Sequence, residues 1–143
     1  MKKMMLIGTR ASGKASFAQT IKSEELAYKQ TQNLLLDEKL IVTPNDYFDK
    51  DFFINYTPTQ SDGVEVVALL QAANDPDTMF QPLLATMFSA EVIGIITKID
   101  LLEKDSKRAE QILEFAGCSK IFHTSSIEKQ GFREIIDYLS TEH

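Results

Sequence analysis

Seven residues near the start of the chain, Gly8-Thr9-Arg10-Ala11-Ser12-Gly13-Lys14, fit G-x-x-x-x-G-K, the pattern of a phosphate-binding P-loop. In such a loop, successive backbone N–H groups point into a concave turn, and the helix that follows presents its positive end to the same anion. Gly8 and Gly13 permit the backbone conformations and the close approach. Lys14 adds a point charge for the outer phosphates. The next position is ordinarily Ser or Thr, whose hydroxyl holds Mg²⁺; here it is Ala15, which has no oxygen to offer. The backbone cradle needs no such hydroxyl, so the pattern predicts phosphate binding with metal coordination in doubt. Ser16 is no replacement, because one step along a helix turns a side chain by about 100°, away from the phosphates. Ser12 lies inside the loop, within reach of one.

A second constellation, Thr97-Lys98-Ile99-Asp100, follows the apolar run at 92–96. It resembles the N/T-K-x-D element of Ras-like GTPases. There a carboxylate accepts from the guanine N1–H and exocyclic amino group together, a donor pair adenine does not present, while the lysine stem packs along the ring. Asp100 is thus the candidate for base selection, with a helix N-cap as its alternative structural role. Thr124-Ser125-Ser126 follows the last apolar run. In Ras-like proteins a small loop at that place contacts the base through its backbone; a Ser-rich helix start is the other reading. His123 and His143 are too isolated for a metal site or a triad and are expected at the surface.

These residues must be positioned by alternating strands and helices. Residues 4–7 read as a buried strand feeding the loop, with a helix from about Gly13 that carries Phe17 and Ile21 on one face. Leu34-Leu35-Leu36 and Leu40-Ile41-Val42 flank Asp37-Glu38-Lys39, the pattern of an antiparallel hairpin. Phe48, Phe52 and Tyr56 suggest a short helix, with Phe53 as its exposed member. Residues 64–70 and 92–96 read as central strands, and 120–124 as a short one. Leu83, Leu84 and Met87 suggest a further helix, with Met79 and Met87 as core positions. Ala109, Ile112, Leu113 and Ala116 have helix spacing, stopped by Gly117, and Phe132, Ile135, Ile136 and Leu139 form the clearest amphipathic stripe. The expectation is one α/β domain over residues 1–143. It is a three-layer fold with a mostly parallel six-stranded sheet, one antiparallel edge strand, and helices on both faces.

Composition narrows the function classes. A formal net charge of −6 over 143 residues argues against nucleic acid and anionic membranes as partners, since both call for a basic surface. Cys118 is the one cysteine, which rules out an intrachain disulfide and fits a cytoplasmic protein. No apolar run approaches membrane-spanning length.

Taken together, the chain resembles the EutP/PduV family, small Ras-like P-loop proteins of ethanolamine- and propanediol-utilisation systems and their bacterial microcompartments. The resemblance covers nearly the whole length. It rests on the P-loop directly after residues 1–7, on Tyr28-Lys29-Gln30-Thr31-Gln32, on Ile41-Val42-Thr43-Pro44-Asn45-Asp46-Tyr47, on Ala73-Asn74-Asp75-Pro76 and on Ile93-Gly94-Ile95-Ile96-Thr97-Lys98-Ile99-Asp100. It implies a nucleotide site made of residues 8–16 with Thr97, Lys98, Asp100, Ser125 and Ser126, and GTP/GDP or ATP as the ligand. It also makes Thr31 a weak candidate for a Mg²⁺ or γ-phosphate contact. The family's Asp-x-x-Gly element reads Val42-Thr43-Pro44-Asn45 here, which removes a carboxylate that would support Mg²⁺. Asp46 falls where a water-orienting residue would sit, although a solvated role suits an anion beside phosphate better. Ala15, Val42 and Asn45 all depart on the metal and γ-phosphate side and none on the base side. The expected function is nucleotide binding with weak or absent Mg²⁺-dependent hydrolysis. The alternatives are a pseudo-NTPase module that engages microcompartment or catabolic-complex proteins, and an ATP-dependent enzyme or phosphotransferase.

Overall fold

Met4, Met5, Leu6 and Ile7 are all buried, because the strand they form, β1 (Met4–Ile7), lies in a sheet covered on both faces. The computed structural model describes residues 2–9, 12–29, 39–43, 63–75, 78, 80–101 and 104–140. Beside β1 lie β2 (Leu40–Val42), β3 (Val66–Ala72), β4 (Glu91–Thr97) and β5 (Lys120–His123). The five strands run in the order β2-β1-β3-β4-β5, and each of the four pairings is parallel. Among the described residues, three helices flank them: α1 (Lys14–Lys29), α2 (Ser106–Ala116) and α3 (Phe132–Ser140).

Side-chain alternation along the strands builds two cores. Met5, Ile7, Val67 and Leu69 pack with Ala109, Leu113 and Ala116 of α2. Met4, Leu6, Ala68 and Leu70 pack with Phe17 and Ile21 of α1 and with Phe132 and Ile136 of α3. The rings of Phe17 and Phe132 meet 5.3 Å apart across the helix pair. Gly94, mid-strand in β4, lets α2 come close: a Cβ there would stand 3.0 Å from that of Leu113. The architecture is α/β, a parallel sheet with helices on both faces. No helix among the described residues is long and apolar enough to cross a membrane.

Some boundaries differ from the sequence reading. The strand expected at 64–70 runs Val66–Ala72. Leu40–Val42 is a strand, laid parallel beside β1 at the sheet edge; its expected hairpin partner at 34–36 lies outside the described residues, as do Phe48, Phe52, Phe53, Tyr56 and Met79. The helix expected around Leu83, Leu84 and Met87 is a single 3₁₀ turn, Leu84–Met87. Leu83 is left-handed, with φ 62°, and its N–H donates to the Phe115 carbonyl at 2.7 Å, which ties it to the end of α2. Leu84 and Phe88 enter the core instead, and Met87, expected there, is 43% exposed.

Candidate functional site

In a parallel sheet the loops that leave the carboxyl ends of neighbouring strands converge on one edge. Three such loops meet here, after β1, β4 and β5. In the first, Gly8 is buried, and a Cβ on it would overlap the Ser12 hydroxyl and stand 3.2 Å from that of Leu70. Ser12 folds back on the loop, its N–H and Oγ both donating to the Thr9 carbonyl, at 3.1 and 2.5 Å. Gly13 takes φ 77°, a conformation that favours glycine. Its carbonyl then accepts the Phe17 N–H at 2.8 Å as α1 begins. Lys14 is buried, and loss of hydration holds its ammonium down to a pKa of about 8. Arg10 and Ala11 lie outside the described residues.

The second loop is tied to the first. Thr97 Oγ1, buried at the end of β4, donates to the Ser12 carbonyl at 2.7 Å. Lys98 is left-handed, with φ 63°, and its Cε lies 3.7 Å from where a Cβ of Gly13 would stand. Its stem therefore runs along the P-loop.

The third loop fixes the second. Thr124 donates both N–H and Oγ1 to the Ile96 carbonyl, at 2.7 and 2.9 Å, and accepts from Ile99 N–H at 3.2 Å. Ser125, fully buried, donates its hydroxyl to Asp100 Oδ1 at 2.7 Å. The Ser125 hydroxyl oxygen in turn accepts the Glu128 N–H at 3.1 Å, so the direction of the hydroxyl is set from both sides. The N-cap alternative for Asp100 does not hold. Asp105 caps α2 instead, accepting from Arg108 N–H at 3.0 Å. The carboxylate of Asp100 is thus held in place by a neighbour and faces a cavity of about 450 Å³.

Of the residues singled out from sequence, Gly13, Ser16, Thr97, Lys98, Asp100 and Ser126 line that cavity. Gly8, Ser12 and Lys14 are buried around it in the P-loop, and Ser125 stands behind Asp100. Four lining residues were not anticipated: Gln19, Thr20, Leu101 and Ile127. The first two could have been found, since they lie three and four residues beyond Ser16 and so share its helix face. Leu101 and Ile127 give the wall an apolar part suited to a flat ring.

The family model described as ethanolamine utilisation – propanediol utilisation matches residues 1–141. The chain belongs to the PduV–EutP family. It is 31% identical over 143 residues to the propanediol utilization protein PduV of Citrobacter freundii, covering 99% of this chain and 95% of that protein. It is 24% identical over 144 residues to a protein of Escherichia coli (strain K12) named probable acetate kinase EutP, covering 99% and 91%.

In this PduV–EutP member the two positions that should support Mg²⁺ do not fit it. Ala15 is exposed in the first turn of α1 and carries only a methyl group. Val42 ends β2 in register with Leu6 and is 42% exposed. Thr43 beside it turns its hydroxyl inward, donating to the Leu6 carbonyl at 2.7 Å. Among the described residues, no group of three or more His, Cys, Asp or Glu side chains could hold a metal ion. Thr31, Asn45 and Asp46 lie outside the described residues.

Proposed function

We propose that this chain binds a nucleotide, guanine in preference to adenine, with weak or absent Mg²⁺-dependent hydrolysis, and serves ethanolamine or propanediol utilisation. The fold class that goes with this reading is the Ras-like P-loop type. The observation that carries it is a cavity lined both by the start of α1 and by Asp100, whose carboxylate Ser125 holds at 2.7 Å. Phosphate at the Gly13–Lys14 end and a base at the Asp100 end would span that cavity. Two apolar residues at metal-support positions argue against turnover. In-line phosphoryl transfer relies on a metal to offset developing charge, and losing that support costs several kcal/mol of transition-state stabilisation. The protein would act in the cytoplasm, alone or beside microcompartment or catabolic-complex proteins.

The acetate-kinase name of the Escherichia coli relative favours a second reading, an ATP-dependent phosphotransferase. Calorimetric titration with GDP, GTP and ATP, each with Mg²⁺ and with EDTA, separates the two. The proposal expects GDP and GTP to bind with little metal dependence and ATP to bind more weakly. Asp100→Ala should erase the preference, a change of about 100-fold for two hydrogen bonds to a charged acceptor. Tight, strictly Mg²⁺-dependent ATP binding would support the phosphotransferase. Absence of any nucleotide binding would leave a pseudo-NTPase interaction module.

A further inference from the structure

The cavity has a wall that neither motif accounts for. Ser16, Gln19 and Thr20 line it from α1, at spacings of three and four residues that place them on one helix face. Among the described residues, none of these three side chains has a hydrogen-bond partner within the protein. From Ser16 to Thr20 the helix rises about 6 Å, about the span of a sugar ring. Residues 15–21 carry no charge, although Ala15, Ser16 and Gln19 are exposed; charge returns at Lys22 and Glu24. An exposed helix face with no role besides hydration would readily carry charged side chains.

From these observations we infer that Ser16, Gln19 and Thr20 read the ribose hydroxyls of the bound nucleotide, which makes the site selective for ribonucleotides. The inference rests on the nucleotide reading above. Phosphates belong to the Gly13 end and the base to the Asp100 end, so the sugar lies between them, along α1. Ribose hydroxyls both donate and accept. Their matching partners are groups that do the same, the serine and threonine hydroxyls and the glutamine amide. A lysine or glutamate there would offer only donors or only acceptors. Gln19 is the central member and has both functions on one side chain, so it should contribute most.

The test compares GDP with 2′-deoxy-GDP and 3′-deoxy-GDP by calorimetry, using the full chain and its Gln19→Ala and Thr20→Val variants. The unaltered protein should bind GDP about five- to tenfold more tightly than at least one deoxy analogue, the scale of one neutral hydrogen bond. Gln19→Ala should bring GDP down to the level of that analogue while leaving the analogue's own affinity unchanged. Equal affinity of the unaltered protein for all three would overturn the inference and leave the nucleotide reading intact. So would variants that weaken GDP and both analogues alike, because that pattern marks a structural role. No binding of any guanine nucleotide would overturn the nucleotide reading and this inference with it.

Discussion

Lys14 sits where the protein gives up stability for a charge it holds ready. Burial lowers its pKa from the ordinary 10.5 to about 8, so protonating it in the folded state is costlier than in the unfolded chain. Below pH 8 both states carry the proton and the full penalty applies. Between about 8 and 10.5 the unfolded chain holds more protons, so this group makes stability rise with pH across that window. Lys14→Met should raise stability at pH 7 by about 1–3 kcal/mol, seen as a higher urea midpoint with an unchanged slope, and should weaken phosphate-bearing ligands. A phosphate beside the ammonium reverses the sign for binding. The bound form keeps its proton above pH 8, so nucleotide affinity should fall as pH rises through that value, and the fall should vanish in Lys14→Met. An affinity flat from pH 7 to 9 would remove Lys14 from the phosphate site.

The loop between β5 and α3 shows how an element turns packing into aim. Ser125 and Gln130 exchange backbone hydrogen bonds at 3.2 and 3.0 Å, and Gly131 closes the turn with φ 84°, where a Cβ would overlap the His123 carbonyl oxygen. Gly63 has nearly the same φ, 83°, but among the described residues nothing stands within 4 Å of the place its Cβ would take. Gly63→Ala should therefore cost about 1 kcal/mol, the left-handed penalty alone. Gly131→Ala should cost about 2–3 kcal/mol and also weaken nucleotide, because the loop that aims Ser125 at Asp100 must shift. Denaturant melts of both variants beside GDP titrations check this; equal costs would mean that the Gly131 turn relaxes freely. The sequence made much of this frame legible. The stripe of Phe132, Ile135, Ile136 and Leu139 is buried along α3, and Gly117, with φ 97°, ends α2 where the composition placed a stop. Gly8 and Thr97-Lys98-Ile99-Asp100 lie at the carboxyl ends of β1 and β4, where strand-to-loop spacing put them. What local patterning misled about was tertiary: Leu83 and Met87 follow helix spacing, yet a hydrogen bond to Phe115 holds Leu83 left-handed and turns the segment outward. Gln19 and Thr20 were missed because a polar helix face reads as solvated until a facing loop makes it a wall.

At the scale of the molecule, the cavity is bounded by α1 and by the loops after β1, β4 and β5. α1 packs on one face with α3, and α2 covers the other. Across the sheet edge, the loops after β1 and β4 are joined by the Thr97–Ser12 hydrogen bond and those after β4 and β5 by Ser125–Asp100. A ligand that spans the cavity adds contacts between α1 and the β4 and β5 loops, and it binds only the folded chain. At a GDP concentration of 100 times the dissociation constant, mass action should therefore add about 2.7 kcal/mol of stability, a rise in melting temperature of roughly 9 °C for a chain of this length. Because Ala15 and Val42 offer a metal nothing, the rise should be the same with Mg²⁺ and with EDTA. The double change Ala15→Thr with Val42→Asp supplies a hydroxyl and a carboxylate at those two positions, and in that variant Mg²⁺ should increase the shift produced by GTP. If Mg²⁺ already increases the shift in the unaltered protein, the metal is held by residues other than these two, and the weakening on the γ-phosphate side is not what it does in the folded molecule.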